Sequence, residues 1–276
     1  MSEPQVSIQP PVLSQPPITA LYSVDVGGAE DWEAEADVPE LENGDRLKWD
    51  EFERRYDAMP DLKKAELIKG VVYVGSPVKH KKHSRPHSKA VTWLGVYNAA
   101  TWGTDSGDNG TTRLDDENAP QPDAMLRLSS KCGGRSQVDE NDYLVGAPEL
   151  ALEVASSSAS YDLHDKKDIY GQFGVLEYIV WRTRDRTIDW FRLENNQYIR
   201  VAPNTDGIIE SSVFPGLRLN VAAMLAGDMA TVLAELQKGL NSPEHAAFVE
   251  RLAAHIQSRP GKANPESEIS NPESQT

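Results

Sequence analysis

Apolar residues recur along the chain with two periods, and these lay out the elements. Trp49, Phe52 and Tyr56 repeat at helical spacing and predict a short helix over 49–59. Asp57-Ala58-Met59-Pro60 ends it, because proline disfavours helix at the residue before it. Ala65 to Val74 reads as two short strands about a tight turn at Lys69-Gly70. A helix is predicted over His87–Thr101, with Val91, Leu94 and Val96 on or near its apolar side. Thr111–Leu114 and Ala124–Leu128 are strand-like, separated by the turn chemistry of Asp115-Asp116-Glu117-Asn118-Ala119-Pro120. Residues 129–147 read as a polar connection.

Leu150 to Ala155, Leu-Ala-Leu-Glu-Val-Ala, is apolar at both parities and predicts a central strand covered on both faces. Leu163–Phe173 is a predicted helix, with Gly174 placed as its cap. Glu177–Thr183 and Thr187–Leu193 alternate as a hairpin about Arg184-Asp185-Arg186, and Gln197–Val201 adds a third strand. Val221–Ile256 is mostly helical, with a break at Asn241-Ser242-Pro243. The order predicts an α/β fold: one central mixed β-sheet flanked by helices, with a helical C-terminal extension.

Outside these elements the pattern lapses. Residues 1–43 and 259–276 are rich in Pro, Ser, Glu, Gln and Asn without a sustained apolar period, and are expected to be disordered. The division expected is a tail at 1–43, a folded domain at 44–226, a helical extension at 227–258 and a second tail. At 39% hydrophobic residues, composition agrees that part of the chain does not fold. The net charge of −15 argues against nucleic acid as a partner, but its placement weakens the objection. Residues 1–43 hold nine acidic residues and no Lys or Arg, and residues 259–276 carry a net of −1, which leaves −5 for residues 44–258. A single cysteine, Cys132, excludes an intrachain disulfide and a thiolate zinc cluster. No apolar run reaches the roughly 20 residues that span a bilayer, and the N-terminus lacks a secretory pattern, so a cytoplasmic protein is expected.

Within Leu150–Ala155, Glu153 is the residue that demands explanation. A carboxylate in a doubly covered strand needs a metal ion, a basic partner or a proton. A buried ion pair is the commoner answer for a lone strand glutamate. Asp123 changes the balance. It opens the strand Ala124–Leu128, and the connection to Glu153 is long enough to set the two side by side in a sheet. Two converging carboxylates, with water and phosphate oxygens, make a hard site suited to Mg²⁺ or Mn²⁺. Lys166 and Lys167 follow on the next helix. One of them belongs to a solvated face, while Lys166 shares a face with Tyr170 and could reach the carboxylates. Glu66, in Ala65-Glu66-Leu67-Ile68, is a further charge in an apolar setting.

Residues 79–89 are basic throughout: Lys79, Lys81, Lys82, Arg85 and Lys89, with His80, His83 and His87 and no acidic residue. A phosphate-backbone contact and a solvated loop explain this run equally well. A transition-metal site at the three histidines ranks below both, since Pro86 argues against one continuous helix carrying them.

These pieces occur in a recognisable order. Ala65-Glu66-Leu67-Ile68-Lys69-Gly70 is followed by Arg113-Leu114-Asp115-Asp116, Pro122-Asp123, Ala147-Pro148-Glu149-Leu150-Ala151-Leu152-Glu153-Val154-Ala155-Ser156, Lys166 with Tyr170, Gly174-Val175-Leu176-Glu177-Tyr178 and Phe214-Pro215-Gly216-Leu217-Arg218-Leu219. Over about residues 45–226 the chain resembles the Uma-type restriction endonucleases, a bacterial branch of the PD-(D/E)XK nuclease superfamily. The resemblance implies a restriction-endonuclease-like fold and metal-dependent hydrolysis of DNA phosphodiesters. It implies Asp123, Glu153 and the backbone carbonyl of Val154 as metal ligands, Lys166 as the site lysine with Lys167 in reserve, and Glu66 as the upstream acidic residue. It also makes His87 a neighbour of the site. The chain departs from the family pattern at Lys69, Gln121 and Ala155. Two other readings stand beside the enzyme. One is a nuclease-like module that holds nucleic acid without cutting. The other is an interaction protein whose residues Leu233, Leu236, Leu240, Phe248, Leu252 and Ile256 form a homodimer seam, although core packing is the commoner meaning of such a stripe.

Overall fold

A computed structural model describes residues 38–257, apart from 76, 78 and 157–160. The expected tails fall almost entirely outside the described residues. Strand β8 (Leu150–Ala155) is buried along its whole length, as its double parity requires. It pairs in parallel with β9 (Glu177–Arg182) and antiparallel with β5 (Ala124–Leu128). The mixed sheet extends outward through β10 (Thr187–Glu194) and β11 (Gln197–Val201) on one side and β3 (Thr104–Gly107) on the other, in the order β11-β10-β9-β8-β5-β3.

The two faces carry different cores. Leu150, Leu152 and Val154 pack with Ala90, Trp93, Leu94 and Tyr97 of helix α2 (Arg85–Ala100). Ala151 and Ala155, of the opposite parity, pack with Tyr170 of helix α3 (Lys167–Gln172), Tyr178 and Phe191. A third cluster joins Trp49 and Phe52 of α1 (Trp49–Asp57) to Ala65, Leu67 and Val72 of the hairpin β1 (Ala65–Ile68) and β2 (Val71–Val74). That hairpin turns at Lys69 and Gly70, both at positive φ (53° and 71°), the backbone that a two-residue type I′ turn needs.

Some expectations shift. In α2 the buried stripe is Ala90, Trp93, Leu94 and Tyr97, while Val96 is exposed. The helical run begins earlier than expected, as a π-helical turn at His80–Ser84 that continues into α2. Pro86 does not break it: it stands at the start of α2, directly after the π-helical turn, where the fixed φ of proline suits the first α-helical turn. The connection 129–147 holds a 3₁₀ turn (Ser130–Cys132) and two short strands, β6 (Gln137–Val138) and β7 (Leu144–Val145), the latter beside β4 (Thr112–Arg113). A further hairpin, β12 (Ile208–Glu210) with β13 (Arg218–Asn220), precedes the C-terminal helices. Those are three: α4 (Val221–Ala226), α5 (Met229–Leu240) and α6 (Pro243–Gln257). The additional break falls at Gly227-Asp228, where glycine takes φ 80° and Asp228 caps α5 by accepting from Thr231 N–H. No helix among the described residues is long and apolar enough to cross a membrane.

Candidate active site

Alternation along β8 decides where Glu153 points. It shares its parity with Ala151 and Ala155, so it enters the core on the α3 side, 2% exposed. The ammonium of Lys166 lies 2.8 Å from Glu153 Oε1, and the Tyr170 hydroxyl donates to the same oxygen at 3.2 Å. Lys166 ends a π-helical turn (Asp162–Lys166) that runs into α3 and carries it and Tyr170, four residues on, to one carboxylate. The same ammonium lies 2.7 Å from Glu66 Oε1. Glu66 alternates with Ala65 and Leu67, whose side chains fill the α1 cluster, so it leaves β1 on the opposite side. The backbone N–H of Gln121 also donates to Glu66 Oε1, at 2.6 Å.

Asp123 completes the group. The β5–β8 register runs Leu126 to Leu150 and Ala124 to Leu152; continued by one residue it sets Asp123 opposite Glu153. Asp123 Oδ2 accepts the Val154 N–H at 2.8 Å and lies 3.1 Å from His83 Nε2. Asp123 Oδ1 receives Lys64 Nζ at 3.0 Å. His87 Nε2 lies 2.6 Å from the Asp123 carbonyl oxygen and 3.0 Å from Asp108 Oδ1.

The two opposed carboxyls are tuned apart. Burial pushes the Glu153 carboxyl up to about 8; Lys166 offsets part of this, and the Asp123 charge adds to it. Burial also acts to raise Asp123, but the His83 hydrogen bond and the Lys64 ammonium outweigh it and hold Asp123 well below the usual carboxylate range. Burial acts to lower Lys166, and the charges of Glu153 and Glu66 overcome it, so its ammonium is held far above the ordinary value. One lysine thus serves two carboxyl groups, while Asp123 has a cation of its own.

The structure brings Asp123, Glu153, Lys166 and Glu66 together. Lys167 points elsewhere, with its ammonium 3.9 Å from the centre of the Phe191 ring. Of the basic run, Lys79, Lys81, Lys82 and Arg85 are exposed, whereas Lys89 is half-buried and donates to the Gly227 carbonyl at 3.1 Å. Lys69 is exposed and pairs with Asp165 at 2.9 Å. Sequence reasoning missed Lys64 and did not assign His83 to Asp123. It also took Gln121 only as a departure, although its side-chain amide donates to Thr111 and Tyr56 at 2.7 and 3.0 Å.

The residues fit a hard divalent cation. Asp123 and Glu153 supply carboxylate oxygens from adjacent strands, and the Val154 carbonyl is the third donor that the resemblance implies. Tyr161, whose ring centre lies 5.7 Å from the Lys166 ammonium, and His83, on Asp123, each carry a buried polar atom (Oη and Nδ1) without a partner among the described residues, as expected where a hydrated ion and its waters would supply hydrogen bonds. Two carboxylates are nevertheless a sparse set: among the described residues no group of three or more His, Cys, Asp or Glu side chains converges to hold a metal. Water and phosphate oxygens would have to supply the remaining ligands.

No curated protein sequence matches the chain. Among solved structures, similarity is found to the crystal structure of a putative nuclease belonging to DUF820 from Anabaena variabilis, at 13% identity and a TM-score of 0.45, covering 68% of this chain and 97% of that one. The sequence profile of the Uma2 family, described as "Putative restriction endonuclease", matches residues 49–222. That match takes in α1, the β1–β2 hairpin, the central sheet and all four of Glu66, Asp123, Glu153 and Lys166, so this chain belongs to the Uma2 family.

Proposed function

We propose that the chain is a metal-dependent endonuclease that hydrolyses DNA phosphodiester bonds. One observation carries the reading: Asp123 and Glu153 are opposed on adjacent strands, both buried, with Lys166 2.8 Å from Glu153 and Lys64 3.0 Å from Asp123. Carboxylates gathered at this cost of desolvation suit a site that handles phosphate and a cation. A divalent metal held by Asp123, Glu153 and the Val154 carbonyl would polarise the phosphate and lower the pKa of bound water.

The protein groups do the positioning. His83 and the Val154 N–H fix the Asp123 carboxylate, and Tyr170 and Lys166 fix that of Glu153. Lys166 is too enclosed, at 2% exposure, to leave Glu153 and Glu66 for solvent, so it sets the charge and orientation of the pair. Lys64, with 27% of its side chain exposed, stands at the solvent side of Asp123, where a phosphate oxygen and its developing charge would meet it.

A second reading has its own support: both Asp123 oxygens are engaged by protein groups, as in a structural ion-pair network on a fold that binds without cutting. Incubation of supercoiled plasmid with Mg²⁺ or Mn²⁺ decides between them. The endonuclease nicks or linearises it, chelation abolishes the cutting, and Asp123→Asn and Glu153→Gln each lose it while melting as cooperatively as wild type. A wild type that leaves plasmid intact with both metals, and variants that melt far earlier, would support the structural network instead.

A further inference from the structure

We infer that the tip of the β9–β10 hairpin is a second duplex-backbone contact, in which Arg184 and Arg186 bind DNA phosphates on one surface with Lys79, Lys81, Lys82 and Arg85. The inference rests on the endonuclease reading and names a surface which that reading leaves open.

Most arginines near the sheet are committed within the protein. Arg113 pairs with Asp116, Arg127 with Asp105, Arg200 with Asp189, and Arg218 with Glu235. Arg184 and Arg186 are exposed and form no ion pair among the described residues, and the same holds for Lys79, Lys81, Lys82 and Arg85. The one acidic residue of the tip, Asp185, is engaged by the Arg182 guanidinium. In a chain of net −15, uncompensated cations gathered in one place mark where a polyanion can approach.

The two segments are far apart in sequence but held together. Thr183 Oγ1 donates to the Lys82 carbonyl at 2.8 Å and lies 3.2 Å from the Ala155 carbonyl, while the Thr183 N–H donates to Ala155 at 2.9 Å. The hairpin tip therefore starts beside the end of β8, where Ala155, two residues beyond Glu153, lies opposite Arg182. On its other side the basic segment is anchored by His83, which turns inward to Asp123 at 3.1 Å while Lys81, Lys82 and Arg85 remain outward. The surface thus borders the carboxylates from both strands that supply them. A duplex following it would present a phosphate to Asp123 and Glu153, and its neighbouring phosphates would meet the two basic segments.

Binding of a fluorescent 20-base-pair duplex by the full chain, in Ca²⁺ over a range of salt concentrations, tests this. The variants are Arg184→Glu/Arg186→Glu, Lys81→Glu/Lys82→Glu, Thr183→Val, and the control Lys131→Glu/Arg251→Glu, which makes the same charge change at exposed residues outside both segments. The hairpin pair is expected to weaken binding about tenfold or more and to flatten the slope of log K against log salt by about 1.8, near 0.9 for each phosphate that is no longer neutralised. Thr183→Val is expected to weaken binding with the salt slope nearly kept, because it loosens the clasp without removing charge. A hairpin pair that binds like the control overturns the surface. A wild type that fails to bind the duplex at low salt overturns both this inference and the endonuclease reading. A wild type that binds through the hairpin yet leaves plasmid uncut with Mg²⁺ or Mn²⁺ upholds the surface and overturns only the endonuclease reading.

Discussion

Lys166 Nζ and Glu153 Oε1 lie 2.8 Å apart at a point where both side chains are 3% exposed. The pair is asymmetric, because Lys166 has a second partner in Glu66 at 2.7 Å. Removing the lysine strands two buried carboxyl groups, whereas replacing the Glu153 carboxyl leaves Lys166 paired with Glu66. Breaking one side of a buried pair costs roughly 3–5 kcal/mol. Lys166→Met is therefore expected to lose about that much stability in urea titration, and Glu153→Gln clearly less. Equal losses, or the reverse order, would show that Glu66 does not share the lysine.

The raised Glu153 carboxyl makes stability depend on pH. Its folded value of about 8 lies above the ordinary 4.5, so the fold holds this proton more tightly than the unfolded chain does. The associated stabilisation is fully present below 4.5 and is lost as pH rises through about 8. Asp123 has the opposite sign: its folded value is depressed, so its contribution is present above the ordinary 3.8 and disappears only in strong acid. Between pH 5 and 8.5, wild type should lose stability relative to Glu153→Gln, as measured by urea midpoints. Mg²⁺ binding should tighten over the same interval, because the carboxyl must give up its proton to bind a cation. Parallel pH profiles for wild type and Glu153→Gln would refute the assignment.

How far the site was legible follows from what each residue's neighbours allow. Glu153 stood out because an acidic residue interrupts a strand apolar at both parities, and Asp123 followed because it opens a strand whose connection to Glu153 is long enough to set the two side by side. Glu66 announced itself in the same way, by interrupting Ala65-Leu67-Ile68. Lys64 gave no such signal: it follows Lys63 just before β1, and only the course of the chain there decides which lysine reaches Asp123. His83 was hidden in a basic run that a phosphate contact and a solvated loop explained equally well, and nothing in its spacing set it apart from His80 and His87. β3 was missed because an edge strand with a single neighbour can be as polar as Thr104-Asp105-Ser106-Gly107. In α2 the spacing of the helix was legible but its phase was only partly so, since of Val91, Leu94 and Val96 only Leu94 belongs to the buried stripe that Trp93 and Tyr97 anchor.

Lys64 separates catalysis from stability more cleanly than Lys166. Its side chain keeps 27% of its surface in solvent, and Asp123 retains His83 and the Val154 N–H when it is removed. Lys64→Ala is expected to melt within a few degrees of wild type and to cut plasmid about 10² times more slowly, the scale for losing a group that stabilises transition-state charge. Single-turnover rates with saturating Mg²⁺ measure this. An unchanged rate would confine Lys64 to neutralising Asp123.

The C-terminal helices give the last prediction, since two roles for their apolar stripe lead to opposite results. Val232 and Leu236 of α5 and Phe248 and Leu252 of α6 are buried in the same cluster as Trp93, Leu126 and Leu152, with Leu233 and Leu240 packed against it. The approach of α5 to the rest is close: a side chain at Gly239 would overlap the carbonyl of Gly216 in the turn before β13. We therefore propose that residues 227–257 belong to the same folding unit as the sheet. Leu236→Ala, at a fully buried position, is expected to cost about 2–5 kcal/mol, and Gly239→Val to destabilise by forcing the two backbones apart. Truncation after Ala226 should abolish cooperative melting. A dimer seam predicts otherwise: Leu236→Ala would shift the oligomeric state in sedimentation equilibrium, and its effect on stability would diminish with dilution. A Leu236→Ala penalty that stays constant across a hundredfold range of protein concentration is the result that assigns these leucines to the core.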